Sequence, residues 1–175
     1  MFLLTRLKFV GFFVLLIGGL VACEKPAEET VTPTPEPLGV SARIGNVDWK
    51  AGMAYAVEDT GYMVLTAYDD NGKKLTMTIA GVGKGKFIVN ASTASRVAYV
   101  DSSYKGIKTY HSEVSDTLLG FIEITAVDRV KKTFSGKFSL FLEDADLKNI
   151  LILENGLINQ VPFVNLAMDD STIVY

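Results

Sequence analysis

The chain has 175 residues, of which 17 are Lys or Arg and 20 are Asp or Glu, so its formal net charge is −3. This length suits one ordinary domain. The acidic balance excludes a protein that binds phosphate backbones or anionic membranes through its overall charge. We therefore expect no nucleic-acid partner.

The first 22 residues have the zones of a secretory signal peptide. Residues 1–8 carry two basic residues and no acid, and residues 9–19 form the apolar run FVGFFVLLIGG. This run is shorter than the roughly 20 apolar residues that a transmembrane helix needs. Its length is typical of a signal-peptide core, so we predict that residues 1–22 are a lipoprotein signal peptide.

Cys23 is the only cysteine of the chain, and it ends the tetrapeptide LVAC at residues 20–23. This tetrapeptide resembles the bacterial lipobox, in which a lipidated cysteine becomes the new first residue. Stable anchoring needs more than one acyl chain, and lipoproteins of this type carry two or three. We therefore predict lipidation at Cys23 and a lipid-anchored place in the bacterial outer membrane, on either its periplasmic or its surface-exposed face.

A linker follows the lipidated cysteine. Residues 24–37 read EKPAEETVTPTPEP, with four Pro and four Glu. Such a segment buries too little apolar surface to offset its ordering entropy, and its prolines favour an extended chain. Residues 23–38 are therefore predicted to hold the following domain away from the membrane.

From residue 39 onward the apolar residues alternate with polar ones. In KKLTMTIAG the apolar positions are Leu75, Met77 and Ile79, the pattern of half-buried strands. The segment FSGKFSLFL repeats this pattern with Phe134, Phe138, Leu140 and Leu142 on one face.

Turn signals separate these alternating runs. Asn-Gly pairs at residues 71–72 and 155–156 predict hairpin turns, and residues 82–86 and 129–133 have the same role. The fold class is therefore all-β: a single antiparallel β-sandwich, or a partly open barrel, over residues 39–165. Residues 166–175 are predicted to form a C-terminal tail.

Several segments occur in an order that resembles a known family. They are ARIGNVDW, GKFIV, GFIEITAVD, RVKKTFSGKFSL and LENGLINQVPF, within residues 42–163. They resemble the uncharacterised lipoproteins of Bacteroidetes that carry an all-β domain of unknown function. The family pattern has Ile-Asn-Gly near its start, where this chain has Ile44, Gly45 and Asn46. The resemblance implies an envelope location and supplies no catalytic residue.

Aromatic residues are the candidates for ligand binding. Tyr99, Tyr104 and Tyr110 lie in the segment richest in hydroxyl residues, and Trp49 is the only tryptophan. Tyrosines among Ser, Thr and Asp suit a polar binding surface, whereas rings packed into strand ends are the alternative for all four residues. We expect a non-catalytic module that binds a glycan, a peptide or an envelope protein.

No catalytic motif, metal-ligand set or cofactor site is assigned from the sequence. His111 is the only histidine and no nucleophile elbow accompanies it. Two alternatives stay open. One is a hydrolase that uses carboxylates such as Glu113, Glu123 and Asp128, and the other is a barrel that carries a small hydrophobic molecule.

Overall fold

The computed structural model describes residues 38–103, 106–113, 116–117, 119–146 and 149–166. The predicted signal peptide, Cys23, nearly all of the linker and residues 167–175 lie outside this part of the chain. Within it, no helix is long and apolar enough to cross a membrane. The strands that it contains are β1 (Gly39–Ile44), β2 (Val47–Lys50), β3 (Met53–Asp59), β4 (Tyr62–Tyr68), β5 (Lys73–Ile79), β6 (Gly85–Val89), β7 (Arg96–Asp101), β8 (Lys108–His111), β9 (Gly120–Asp128), β10 (Thr133–Asp144) and β11 (Ile150–Asn165).

All eleven strands belong to one sheet, in the order β2-β1-β11-β3-β4-β5-β7-β8-β10-β9-β6. An additional pairing joins β11 to β10. Because of it, the seven strands from β11 through β3, β4, β5, β7, β8 and β10 form a closed ring of hydrogen-bonded neighbours. The pairs β1–β2 and β6–β9 extend from this ring. The all-β prediction is confirmed, and seven of the eleven strands close on one another as in a barrel.

One pairing gives the sheet its mixed character. β3 and β11 run parallel, with Phe163 opposite Ala56, while the other strand pairings of the described residues are antiparallel. Parallel strands need a long connection, and here that connection is most of the domain. The first and last parts of the domain are therefore neighbours in the sheet.

The core fills the inside of the ring. Leu75, Met77 and Ile79 are fully buried, as their alternation predicts. The four apolar residues of FSGKFSLFL are buried as well, which confirms the second predicted face: Phe134, Phe138, Leu140 and Leu142.

Two of the connections follow directly from their turn residues. Asn71 and Gly72 lie in the β4–β5 hairpin, as predicted. In the β1–β2 hairpin, Ile44 pairs with Val47 around a two-residue turn. Gly45 has a φ of +61° there, which fits a type II′ turn with glycine in its first central position. This geometry accommodates Gly-Asn where the resembling family has Asn-Gly.

The predicted hairpin turn at residues 155–156 is wrong. Both residues lie inside the single strand β11, and the registers with β1 and β10 shift beside them. Asn155 has a φ of +51°, so the pair forms an irregularity of the β-bulge type. The Asn-Gly pair correctly indicated a left-handed backbone at Asn155. The chain does not reverse there, because β1 and β10 pair with β11 on both sides.

Candidate ligand-binding cleft

Charged residues form a row at one end of the ring, which we call the cleft end. Lys73 at the start of β5 pairs with Asp101 at the end of β7, and Asp101 pairs with Lys108 at the start of β8. One step further inside, Tyr99 pairs with Tyr110. Residues two positions apart on a strand share a face, so the tyrosines lie beneath the charged row and on the same side of the sheet.

A cleft of about 210 Å³ opens at this end. Strands distant in sequence build it, because β1, β2, β5, β7, β8 and β11 each contribute a side chain. Three predicted aromatic residues, Trp49, Tyr99 and Tyr110, are brought together here, although the sequence separates the tryptophan from the tyrosines. The lining residues are Ile44, Val47, Trp49, Lys73, Tyr99, Asp101, Lys108, Tyr110 and Leu151.

Trp49 is fixed in the wall of the cleft by Asp69. The indole Nε1 donates a hydrogen bond of 3.0 Å to Asp69 Oδ2. The other carboxylate oxygen accepts the backbone N–H groups of Asn71 and Lys73, each at 2.9 Å. Asp69 therefore holds the β4–β5 turn and the β2 side chain in one rigid unit.

For Trp49 and Tyr99 the structure shows the alternative of packed rings. They are 5% and 2% exposed and belong to the hydrophobic core, because the alternation of β2 and β7 turns both side chains inward. Tyr110 is half-buried, and its ring centroid lies 6.4 Å from that of Tyr99 with the planes tilted by 44°. Tyr104 lies outside the described residues.

The electrostatics of the cleft keep Asp101 ionised and Tyr99 protonated. Burial of Asp101 opposes its ionisation, but hydrogen bonds from Ser103 and the charges of Lys73 and Lys108 outweigh it and lower the pKa of Asp101. Burial raises the pKa of Tyr99, and the carboxylates of Asp101 and Asp69 and the neighbouring Tyr110 raise it further. The phenol is therefore a hydrogen-bond donor across the physiological range.

A second, larger depression of about 580 Å³ adjoins the cleft and shares Val47, Trp49 and Lys73 with it. It is wider and more open, and polar side chains dominate its lining, among them Asp48, Asp70 and Asn71. We take the smaller cleft as the candidate site, because it is the less open of the two and combines aliphatic, aromatic and charged side chains.

The residues considered for catalysis lie elsewhere and have other partners. Glu113 forms an ion pair of 3.0 Å with Arg96. Glu123 lies 3.4 Å from its cross-strand neighbour Lys137. Asp128 accepts the backbone N–H groups of the β9–β10 turn at 2.9 and 3.0 Å.

His111 follows Tyr110 on β8 and therefore points to the opposite face of the sheet, where it pairs with Glu143 of β10. Within the described residues, no group of three His, Cys, Asp or Glu side chains is placed to hold a metal ion.

The charged rim of the cleft was not predicted from the sequence. Lys73, Asp101 and Lys108 each stand two positions from a residue of the inward face, at the end of a strand. The sequence does contain a clue to the rim, because Asp101 lies two positions from Tyr99 and Lys108 lies two positions from Tyr110. It identifies a site only once the register between β5, β7 and β8 is known.

The fold and the cleft define a β-domain with a preformed site at one end of a strand ring. A family model described as a domain of unknown function, DUF6252, matches residues 38–162, and the chain belongs to this family. The matched range includes every residue that lines the cleft. No curated protein and no solved structure matches the chain significantly.

Proposed function

We propose that this protein is a lipid-anchored lipoprotein of the bacterial outer membrane whose domain is a non-catalytic binding module. The ligand is a glycan, a peptide or an envelope protein, and it binds in the cleft. The observation that carries the proposal is the convergence of Trp49, Tyr99 and Tyr110 on one preformed cavity. Preformed concave sites with apolar walls and a few fixed polar groups are the usual form of ligand sites.

The state of the cleft carboxylates supports binding over catalysis. A general acid of the glycosidase type needs a carboxyl group whose pKa is raised. The pKa of Asp101 is lowered, and both oxygens of Asp69 already accept hydrogen bonds. Two carboxylates of this kind suit a rigid wall better than a proton-transfer site.

The packing of the ring supports a site at its end over a cargo inside it. Large side chains such as Leu65, Met77 and Phe138 are at most 2% exposed and occupy the interior. A carrier for a hydrophobic molecule needs an open apolar cavity there. The proposed ligand instead enters from the cleft end, between the charged rim and the tyrosines.

A substitution that fills the cleft tests the binding site. Val47 is 62% exposed and lines the cleft, so Val47→Phe is expected to fold normally and to occlude the site. The full chain, reconstituted in phosphatidylcholine vesicles, is screened for binding of glycans, peptides and envelope proteins. Binders of the wild type should be lost in this variant.

The matched control is Val164→Phe. Val164 is 54% exposed, and it lies on β11 at the end of the ring opposite the cleft. This variant should bind as the wild type does. If Val47→Phe and Val164→Phe bind the same ligands equally well, the cleft is not the binding site.

The anchor is tested at Cys23, whose thiol is the acceptor of the lipid in this proposal. The Cys23→Ala chain should no longer label with radioactive fatty acid, and it should leave the membrane fraction, because the lipid provides the attachment. A variant that still sediments with the envelope after a high-salt wash contradicts the lipoprotein assignment.

A further inference from the structure

The hydroxyl group of Tyr99 has no hydrogen-bond partner among the described residues. The residue is 2% exposed, and no hydrogen bond joins its hydroxyl to any residue that the structure describes. Within the described residues, the one fully enclosed side-chain oxygen or nitrogen without a partner is Glu143 Oε2. The Tyr99 hydroxyl is therefore not enclosed, and it opens on the space that this residue lines, which is the cleft.

Such a hydroxyl adds nothing to the stability of the fold. No described residue pairs with it, so in an empty cleft solvent is its remaining hydrogen-bond partner. The ring of Tyr99 packs in the core beside Tyr110, and a phenylalanine ring has the same apolar surface. The hydroxyl thus contributes nothing to packing and is available to form a hydrogen bond with a ligand.

The charges around the hydroxyl define the charge of that ligand. The rim residues Lys73, Lys108 and Asp101 sum to one net positive charge, and the carboxylate of Asp69, bonded to Trp49, offsets it. Both carboxylates oppose ionisation of Tyr99, which means that they also disfavour an anion at its hydroxyl. The O–H group remains a donor, and the group that it meets is an uncharged acceptor.

The walls define the rest of the ligand. Ile44, Val47 and Leu151 supply an aliphatic surface beside the hydroxyl. Trp49 offers no open face for a sugar ring to stack on, because it is 5% exposed and its N–H is bound to Asp69. The volume of about 210 Å³ is below the roughly 300–1,000 Å³ of sites for drug-sized ligands. It admits a single group.

We propose that the cleft binds an uncharged acylamide group, whose carbonyl oxygen accepts a hydrogen bond from the Tyr99 hydroxyl and whose small alkyl group packs against Ile44, Val47 and Leu151. This inference rests on the proposed binding function of the cleft. Two sources supply the same chemistry, namely the acetamido group of an N-acetylated sugar and the peptide unit of a short peptide.

Trp49 makes the proposal directly measurable. It is the only tryptophan in the chain and lines the cleft, so its fluorescence reports on occupancy. The full chain in phosphatidylcholine vesicles is titrated with N-acetylglucosamine and with N-acetylalanine N-methylamide. At least one of these two compounds should change the tryptophan emission saturably. The compound that does so shows whether the acylamide comes from a sugar or from a peptide. Glucose, glucosamine and acetate lack a neutral acylamide, and they should leave the emission unchanged.

Tyr99→Phe tests the assigned hydrogen bond. This variant should bind the amide probe more weakly, on the order of tenfold, as expected for the loss of one hydrogen bond. Its thermal unfolding temperature should be equal to or above that of the wild type, a result that a structural hydroxyl would reverse. Tyr62→Phe is the control, because Tyr62 is 43% exposed at the end opposite the cleft, and it should change neither property.

Four outcomes overturn the inference, and they separate it from the proposed function. Equal affinities of Tyr99→Phe and the wild type refute the hydrogen bond. If acetate or glucosamine binds better than the amides, the ligand class is wrong but the binding function is retained. The same holds if neither amide changes the emission while other ligands bind the wild type and not Val47→Phe. If no ligand at all depends on Val47, the binding function fails as well.

Discussion

At the level of single residues, period-two alternation predicted burial well and polar contacts poorly. Leu75, Met77 and Ile79 are buried as expected because their side-chain direction depends on the local backbone alone. The role of Tyr99 depends on which strands lie beside β7, and a local pattern does not contain that information. The sequence therefore indicated the aromatic residues of the cleft but left open whether their rings are exposed or packed.

The raised pKa of Tyr99 predicts a loss of stability in alkali. Below the ordinary tyrosine pKa of about 10, both the folded and the unfolded chain keep the proton, and the full stability is present. Above it the unfolded chain loses the proton first, so the free energy of unfolding falls as the pH rises towards the folded-state pKa. The fall from this one group is at most about 1.4 kcal/mol per pH unit.

Urea unfolding of the full chain between about pH 9 and 11 measures this slope. Tyr99→Phe should show a shallower fall than the wild type, since the lysines, the other tyrosines and the carboxylates of Asp69 and Asp101 are common to both. Tyr62→Phe should retain the wild-type slope. Identical slopes in Tyr99→Phe and the wild type would mean that the phenol titrates normally in the folded state.

At the level of elements, most strands and the β4–β5 and β9–β10 hairpins followed from the sequence. The hairpins predicted at residues 82–86 and 155–156 are wrong, because β5 and β6 do not pair with each other and β11 is one strand. An Asn-Gly pair specifies a left-handed backbone, but whether the chain reverses there depends on its neighbours. Here β1 and β10 pair with β11 on both sides of Gly156, so the strand continues through an irregularity. The register of a long, twice-paired strand is a property of three segments together.

Gly156 predicts the cost of disturbing this irregularity. A Cβ atom at this position would lie well inside van der Waals contact of the Phe138 ring, and Phe138 is 2% exposed. Gly156→Ala should therefore lower the free energy of unfolding by about 1–3 kcal/mol, the usual range for overpacking. Chemical denaturation of the full chain measures the change.

The matched control for this substitution is Gly83→Ala. A Cβ atom at Gly83 has no neighbour within 4 Å, so the same chemical change should alter the stability by less than about 0.5 kcal/mol. Equal effects at the two glycines would show that the close approach of Gly156 to Phe138 does not limit the packing of β10 on β11.

At the level of the whole molecule, the all-β class followed from the alternation, and the closed ring did not. Ring closure depends on the pairings of β11 with β3 and β10. Arg129 connects several elements at the end of the ring opposite the cleft. Arg129 forms an ion pair with Glu58 of β3, which is 8% exposed, and donates a hydrogen bond of 2.6 Å to the Val82 carbonyl. Its guanidinium also lies 5.4 Å from the ring centroid of Phe163.

Removal of Arg129 should destabilise the molecule because it leaves the buried carboxylate of Glu58 unpaired. We expect Arg129→Ala to lower the free energy of unfolding by about 1–3 kcal/mol, with water around the half-exposed guanidinium reducing the effect. The double variant Glu58→Gln with Arg129→Ala should recover part of this loss. Thermal and chemical unfolding of both full chains measure it.

Lys137→Ala provides the comparison, since Lys137 and Glu123 form an exposed pair across β9 and β10. Exposed pairs contribute less than about 1 kcal/mol. An effect as large as that of Arg129→Ala would show that charge alone determines the cost and that the burial of Glu58 does not matter. A double variant no more stable than Arg129→Ala alone would point to the Val82 and Phe163 contacts instead.

The pairing of β11 with both β3 and β10 also determines when folding of the domain can be completed. β11 is the last strand of the domain, and the ring cannot close before it arrives. Until then β3 and β10 have open edges, which are prone to pair with other chains. A ribosome that stops before residue 163 leaves an incomplete sheet, so successful folding is a checkpoint on full-length synthesis. If the chain is exported as the lipoprotein proposed above, this late closure would leave the earlier strands without a completed sheet until β11 has crossed the membrane.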